Sequence, residues 1–135
     1  MTALLDTNVL IRHFTGDPPA QAQRATAYLK AAPTEELTLL DLHVAECVYV
    51  LEGPYRQRRS DVGRLMGSVL GLQSVLLENE QAILRSLDLY VNGGFDFADA
   101  YLVARAEAAG IGSIVRFDRS DAKPGRATGV RRVEP

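Results

Sequence analysis

The sequence predicts an α/β fold in which a mostly parallel sheet is flanked by helices. Short apolar runs of strand length alternate along the chain with longer apolar or amphipathic segments of helix length, which is typical of this class. Hydrophobic residues make up 47% and charged residues 24% of the 135 positions, as in ordinary globular domains. No repeat, low-complexity tract or long linker divides the chain, so we expect one domain over residues 1–135.

The first half of the chain carries clear start and stop signals for helices. The tripeptide DTN at 6–8 offers helix-cap chemistry directly after an apolar run. The paired prolines of "TGDPPAQ" favour a helix start, and Gly53-Pro54 ends the nearly all-apolar segment "LHVAECVYVLEG". We therefore predict strands over 3–5 and 36–40 and helices over 6–14, 20–30 and 42–53.

The second half continues the alternation. Consecutive glycines follow one helical pattern at 93–94, and Gly110 follows another. Strands joined through helices pair in parallel and need helices on both faces of the sheet. We predict a polar, then amphipathic segment over 55–72, a strand over 74–78, helices over 79–91 and 95–110, a strand over 112–118 and an edge strand in the tail over 129–135.

Composition also limits where the protein works. The single cysteine, Cys47, excludes an internal disulfide framework and suits a reducing compartment. No run of about 18 uncharged apolar residues is present, so no membrane span is expected. No signal peptide is visible at the N-terminus, and we expect a cytoplasmic protein.

Four acidic residues stand where a structural role explains them poorly. Asp6 and Asp118 each follow a short apolar strand, at the end of a parallel sheet where ligands bind. Glu46 and Asp99 lie on helix faces that are expected to pack inward. Simpler readings remain open: Asp6 as a helix cap, Asp118 as a turn residue, and Asp99 as a partner of the helix dipole.

A divalent cation is the simplest common partner for these acids. Glu46 in "VAECVYVL" has no Lys or Arg at helical spacing, so the helix offers it no salt bridge. Clustered carboxylates suit Mg²⁺, with Mn²⁺ as the alternative, because both ions prefer oxygen ligands. The net charge of −2 includes all four acids and therefore does not exclude a nucleic-acid partner.

The chain resembles the PIN-domain ribonucleases, and most closely the VapC-like toxins of bacterial toxin–antitoxin pairs. The stretches "LLDTNVLI", "HVAECVYVLEG", "DFADAYLVARAEAAG" and "IVRFDRSD" carry the resemblance in this order over almost the whole chain. It implies a three-layer α/β/α fold and a metal-dependent endoribonuclease in which activated water leaves a 5′-phosphate and a 3′-hydroxyl. It further implies an RNA substrate, a cognate VapB-like antitoxin and a homodimer.

The resemblance also implies roles for individual residues. Asp6, Glu46 and Asp99 match the three central acids and Asp118 the fourth. The family often carries Thr or Ser two residues before the last acid, whereas this chain has Arg116, so Asp121 is an alternative fourth acid. Supporting roles are implied for Thr7 and Asn8, the polar pair after the first acid, and for Asp96, for which a helix-start role is the alternative.

Other chemically interesting side chains have simpler explanations. His13 and His43 form no obvious acid–base pair and are expected to be surface or core residues, and Cys47 is expected in the core. Local basic charge is either a solvated face or a contact for RNA phosphates, which Arg binds well. The candidate RNA-binding residues are Arg12, Arg56, Arg58, Arg59 and Arg64, with Arg126, Arg131 and Arg132 of the tail as an extension.

Three rival functions remain open. A PIN-like domain without catalysis could act only as a binder of RNA or protein. Under the toxin resemblance, segment 49–72 could instead form the groove that receives the antitoxin. A receiver-like domain phosphorylated on Asp usually has adjacent acids after its first strand, but Asp6 is followed by Thr7 and Asn8. A haloacid dehalogenase-type phosphatase needs a second Asp where Asn8 stands.

Overall fold

A computed structural model describes residues 2–117 and 128–135. The chain forms two compact units, Met1–Asn79 and Glu80–Pro135. Every strand pairing within them is parallel, and six helices lie in the described part of the chain.

The first unit contains a three-stranded sheet in the order β1-β2-β3. Leu37 of β2 is the central register point, since it pairs with Ala3 on one side and Val75 on the other. Each strand is followed by a helix, which is the arrangement that parallel pairing requires. The elements are β1 (Ala3–Leu4), α1 (Thr7–Thr15), α2 (Pro19–Ala31), β2 (Leu37–Leu39), α3 (Asp41–Glu52), α4 (Arg59–Leu70) and β3 (Val75–Leu77).

Helix α3 is the central helix of this unit. Its core side consists of four side chains that are fully buried, and these are Val44, Cys47, Val48 and Leu51. The opposite side is exposed, although the sequence is apolar there: Leu42 is 71% and Tyr49 40% exposed. An apolar sequence on all sides therefore does not make this helix buried on all sides.

The second unit is a helical hairpin followed by two strands. Helix α5 (Glu80–Asn92) packs on α6 (Phe97–Ala109), and the rings of Tyr90 and Phe97 meet in a T-shaped arrangement with 6.0 Å between their centroids. The turn between the helices contains Gly94 with a φ of +76°, a conformation that is strained for other residues. Strand β4 (Ser113–Val115) pairs with β5 (Arg131–Val133), which is the predicted tail strand.

Within the described residues, no helix is long and apolar enough to cross a lipid bilayer. The predicted strand over 112–118 is shorter than expected and ends at Val115. Two of the candidate acids, Asp118 and Asp121, lie outside the described residues, as does Arg126.

Candidate active site

Asp6 follows β1 and occupies the cap position of α1 without acting as a side-chain cap. Its backbone is extended, with φ −84° and ψ 150°, and its side chain accepts no hydrogen bond from the helix. Only its backbone carbonyl closes the first turn, by accepting the N–H of Val9 at 3.2 Å. The carboxylate is 63% exposed. The helix-cap reading does not explain this side chain.

Glu46 is held by a residue of another helix. The hydroxyl of Thr7, at the start of α1, donates a hydrogen bond to Oε1 of Glu46 on α3 at 2.7 Å. Thr7 is itself only 8% exposed, so this contact is fixed by the packing of α1 on α3. The Thr7 hydroxyl thereby orients the Glu46 carboxylate.

His43 lies beside both carboxylates. Its Nε2 is 3.7 Å from Oδ1 of Asp6 and 3.9 Å from Oε1 of Glu46. Its Nδ1 is buried and has no hydrogen-bond partner among the described residues. With no acceptor for a proton at Nδ1, the neutral ring favours the tautomer in which Nε2–H faces the two acids. The sequence predicts only a surface or core position for His43, although its i, i+3 spacing from Glu46 indicates this contact.

One expectation about Glu46 was wrong. Its face of α3 was expected to pack inward, but the Glu46 side chain is 57% exposed. The physical reason is that Val44, Cys47 and Val48 already supply the buried side of the helix. Glu46 therefore pays little for desolvation, and its partners are Thr7 and His43. Burial alone no longer argues for a metal ion at this residue.

The thiol of Cys47, the residue after Glu46 on α3, is affected by the negative charge of the two acids. Burial, as the largest cause, and the negative charges of Glu46 and Asp6 together raise the pKa of Cys47 to about 12. A thiol of this pKa stays protonated at neutral pH and is a poor nucleophile. Cys47 is thus a core residue, as expected.

Glu78 and Asn79, which follow β3, contact the first residue of α3, Asp41. Glu78 follows β3, and its Oε1 accepts the backbone N–H of Asp41 at 2.9 Å. Asn79 donates from Nδ2 to Oδ2 of Asp41 at 2.8 Å. Glu78 thus satisfies a backbone donor in the first turn of α3, the helix that carries Glu46. The sequence does not predict this pair, although Glu78 follows β3 directly and Asp41 stands two residues after β2.

In the second unit, Asp99 has an arginine as its partner. Asp99 lies in the first turn of α6, and Asp96 occupies the cap position without a side-chain cap bond. Nη1 of Arg116 lies 2.8 Å from Oδ1 of Asp99, and both side chains are about one third exposed. The carboxylate matched to the family's third acid thus already has a cationic partner within this chain.

The candidate RNA-binding arginines do not form one cluster of free charges. Arg12 bonds to Gln21 and to the carbonyl of Asn8, and all three line a cavity of about 570 Å³ that Asp6 also borders. Arg56 and Arg58 are exposed between α3 and α4, Arg59 is half-buried, and Arg64 pairs with Asp61 at 3.4 Å.

The donors present are suited to a hard divalent ion. Asp6 and Glu46 offer exposed carboxylate oxygens, the ligand type that Mg²⁺ prefers, and Thr7 holds one of them in a fixed direction. Within residues 2–117 and 128–135, no group of three or more His, Cys, Asp or Glu side chains is arranged to hold an ion unaided. Mg²⁺ commonly keeps several waters in such partial sites.

Comparisons with known proteins now identify the family. The model of the PIN domain matches residues 3–124, which is most of the chain and spans both units. Among solved structures, a toxin-antitoxin complex from Klebsiella pneumoniae matches with 22% sequence identity, covers 89% of each chain and has a TM-score of 0.39. No curated protein matches the chain. The predicted fold class, α/β with three α/β/α layers and a parallel sheet, is confirmed by the family match, and the chain belongs to the PIN domain family.

Proposed function

We propose that the chain is a cytoplasmic Mg²⁺-dependent endoribonuclease toxin, formed by a single PIN domain over residues 1–135. Mn²⁺ is the alternative ion. Membership of the PIN domain family supports the nuclease class. The observation that carries the proposal is the convergence of the Asp6 and Glu46 carboxylates on one imidazole beyond the end of β1. The proposed ligands are Asp6, Glu46, Asp99 and Asp118, with Asp121 as the alternative to Asp118.

The pairing of Asp6 with Glu46 suits a metal site better than a structural one. Neither carboxylate caps a helix, and neither contacts a Lys or Arg within the part of the chain that the structure describes. Two exposed carboxylates facing one side chain repel each other, and that repulsion favours a cation. The nearest basic group, the single imidazole of His43 at 3.7–3.9 Å, faces two carboxylates.

The residues of the site have separable tasks in RNA hydrolysis. A bound Mg²⁺ would supply an activated water and offset the charge of the scissile phosphate. Asp6 and Glu46 would hold the ion, and Thr7 keeps Glu46 in its orientation. Water would attack phosphorus in line as the bond to the 3′-oxygen breaks, and a proton lost by the water would reach that oxygen through solvent, which leaves a 5′-phosphate and a 3′-hydroxyl. No side-chain nucleophile is needed, in agreement with the raised pKa of Cys47.

Positive charge near the site is proposed to hold the RNA backbone. Arg12 borders the same cavity as Asp6, so a phosphate bound there would lie close to the first acid. Arg56 and Arg58 are exposed on the loop that follows α3. A VapB-like antitoxin and a homodimer are proposed from the sequence resemblance alone.

A cleavage assay tests the proposal. We would incubate the purified chain with total bacterial RNA, in Mg²⁺ or in EDTA, and sequence the new 5′ ends. Asp6→Asn is the test variant, and Glu80→Gln, which removes an exposed charge in the first turn of α5, is the matched control. Discrete Mg²⁺-dependent cuts by wild type and the control, lost in Asp6→Asn, support the proposal. RNA that is bound but left intact by all three proteins contradicts it.

A further inference from the structure

Among the Lys and Arg side chains that the structure describes, only Arg116 contacts one of the proposed metal ligands. Nη1 of Arg116 lies 2.8 Å from Oδ1 of Asp99, the length of a charge-assisted hydrogen bond. This is also the position where the sequence departs from the family pattern, which often has Thr or Ser there. A neutral hydroxyl leaves a neighbouring carboxylate its full negative charge, whereas a guanidinium neutralises it.

The backbone on both sides of this contact is well fixed. Asp99 stands in the first turn of α6, and the N–H of Ala100 is bonded to the carbonyl of Asp96 at 2.9 Å. The N–H of Arg116 donates to the carbonyl of Val133 at 3.0 Å, which extends the pairing of β4 with β5 by one residue. Helix α6 also packs on β4. The fold of the second unit therefore holds the backbones of Arg116 and Asp99 in place on both sides of the contact.

The distance between Arg116 and Asp99 is short, but the contact contributes little to the free energy of folding. Both side chains are about one third exposed, and ion pairs in such surroundings typically contribute little to stability. A divalent ion carries twice the charge of a guanidinium and is attracted more strongly to the same carboxylate. Asp99 can therefore exchange one cation for the other without unfolding its surroundings.

We propose that Arg116 is an internal cation that competes with the metal ion for Asp99 and so raises the metal concentration that the site requires. The inference rests on the proposed function, because it takes Asp99 to be a metal ligand. Arg116 is then a positioning residue: it acts through Asp99, and its own atoms take no part in the hydrolysis. Its removal should strengthen metal binding, whereas the removal of a structural ion pair should not.

Mn²⁺ binding, followed by the loss of the free-ion EPR signal, tests this without any measurement of cleavage. The full-length variants are Arg116→Ser, which restores the family's hydroxyl, and Arg116→Lys, which keeps the charge. Arg131→Ser is the matched control, since Arg131 carries the same charge on the paired strand β5 and contacts no carboxylate in the described residues. Asp6→Asn reports on the proposed metal site itself. Thermal unfolding checks that each variant is folded.

We expect Arg116→Ser to bind Mn²⁺ about fivefold more tightly than wild type, as the loss of one nearby positive charge requires. Arg116→Lys and Arg131→Ser should stay within about twofold of wild type. Equal affinity of wild type and Arg116→Ser would overturn the inference, and so would equal tightening by Arg131→Ser.

The same titration separates the two proposals. If wild type binds Mn²⁺, Asp6→Asn does not, and Arg116→Ser matches wild type, only the role of Arg116 is refuted. If neither wild type nor Arg116→Ser binds Mn²⁺ at millimolar concentration, the metal-dependent function and the role of Arg116 both fail. Should Arg116→Lys bind as tightly as Arg116→Ser, charge is not the cause, and the inference is likewise refuted.

Discussion

The proposed ligands of the two units have different basic side chains beside them. In the first unit, Asp6 and Glu46 share the imidazole of His43 at 3.7 and 3.9 Å. In the second, Asp99 has the guanidinium of Arg116 at 2.8 Å. An imidazole is charged only when protonated, whereas a guanidinium is always charged. The comparison teaches that the same chemical group, a carboxylate, has a side chain beside it that is charged only when protonated in one unit and a permanently charged one in the other.

The largest effect is expected when Asp6 or Glu46, the two acids beside His43, is changed. Asp6→Asn and Glu46→Gln each remove a proposed ligand charge while keeping the size of the side chain. We expect Mg²⁺-dependent RNA cleavage to fall at least about 100-fold in each, measured on one defined cleavage site. Cleavage within about threefold of wild type would break the comparison, because neither acid would then be needed.

A smaller loss is expected when only the orientation of Glu46 is disturbed. Thr7→Val keeps the shape of a buried side chain but removes the hydroxyl that donates to Glu46 at 2.7 Å. Outer partners of metal ligands commonly contribute about 10- to 100-fold, so we expect cleavage to fall about tenfold. Thr7→Ser, which keeps the hydroxyl, should retain more activity than Thr7→Val. The opposite order would remove Thr7 from the site.

A pH titration of stability tests the burial of Cys47, the core residue next to Glu46. The Cys47 pKa is raised from 9.0 to about 12, so above pH 9 the unfolded chain loses a proton that the folded chain keeps. The contribution of Cys47 to stability is therefore complete below pH 9 and is lost as the pH rises toward 12.

Urea unfolding at several pH values measures this effect. We expect the free energy of unfolding of wild type to fall more steeply above pH 9 than that of Cys47→Ala, by at most about 1.4 kcal/mol per pH unit. Parallel curves for the two proteins would show that the thiol is not shielded as the structure has it.

The smallest effect is expected from an ion pair in which neither residue is a proposed metal ligand. Arg85 of α5 donates to Glu107 of α6 at 2.9 Å and joins the two helices of the second unit. Because both side chains are about one third exposed, Arg85→Gln should cost only about 0.5 kcal/mol of stability. It should leave Mn²⁺ affinity unchanged, in contrast to Arg116→Ser. A shift of affinity in Arg85→Gln would mean that any lost positive charge has this effect.

Much of the fold followed from local signals in the sequence. The apolar runs, the prolines before α2 and the glycines after α5 and α6 set the elements to within a few residues. Pattern alone failed at Glu46, because a helix that is apolar on every side does not reveal which side becomes the core. The burial of Val44, Cys47 and Val48 is decided by packing against other elements, which periodicity does not contain.

The partners of the acids were harder to foresee than the acids themselves. Thr7 and Glu46 are separated by 39 positions, and their contact exists only after α1 packs on α3. His43 stands three residues before Glu46, so its contact was within reach of helical spacing. Arg116 departs from the family pattern in the sequence itself, but its contact with Asp99 depends on how β4 packs on α6.

NMR of the histidine rings during a Mg²⁺ titration tests the central claim most directly. The chain has two histidines, and His13, whose Nδ1 contacts the Thr26 hydroxyl at 2.7 Å, serves as the internal reference. If Asp6 and Glu46 bind the ion, the His43 resonances shift saturably while those of His13 stay constant, and the shift disappears in Asp6→Asn. Unchanged His43 resonances at saturating Mg²⁺, in a folded wild-type protein, would contradict the claim that these two carboxylates form a metal site.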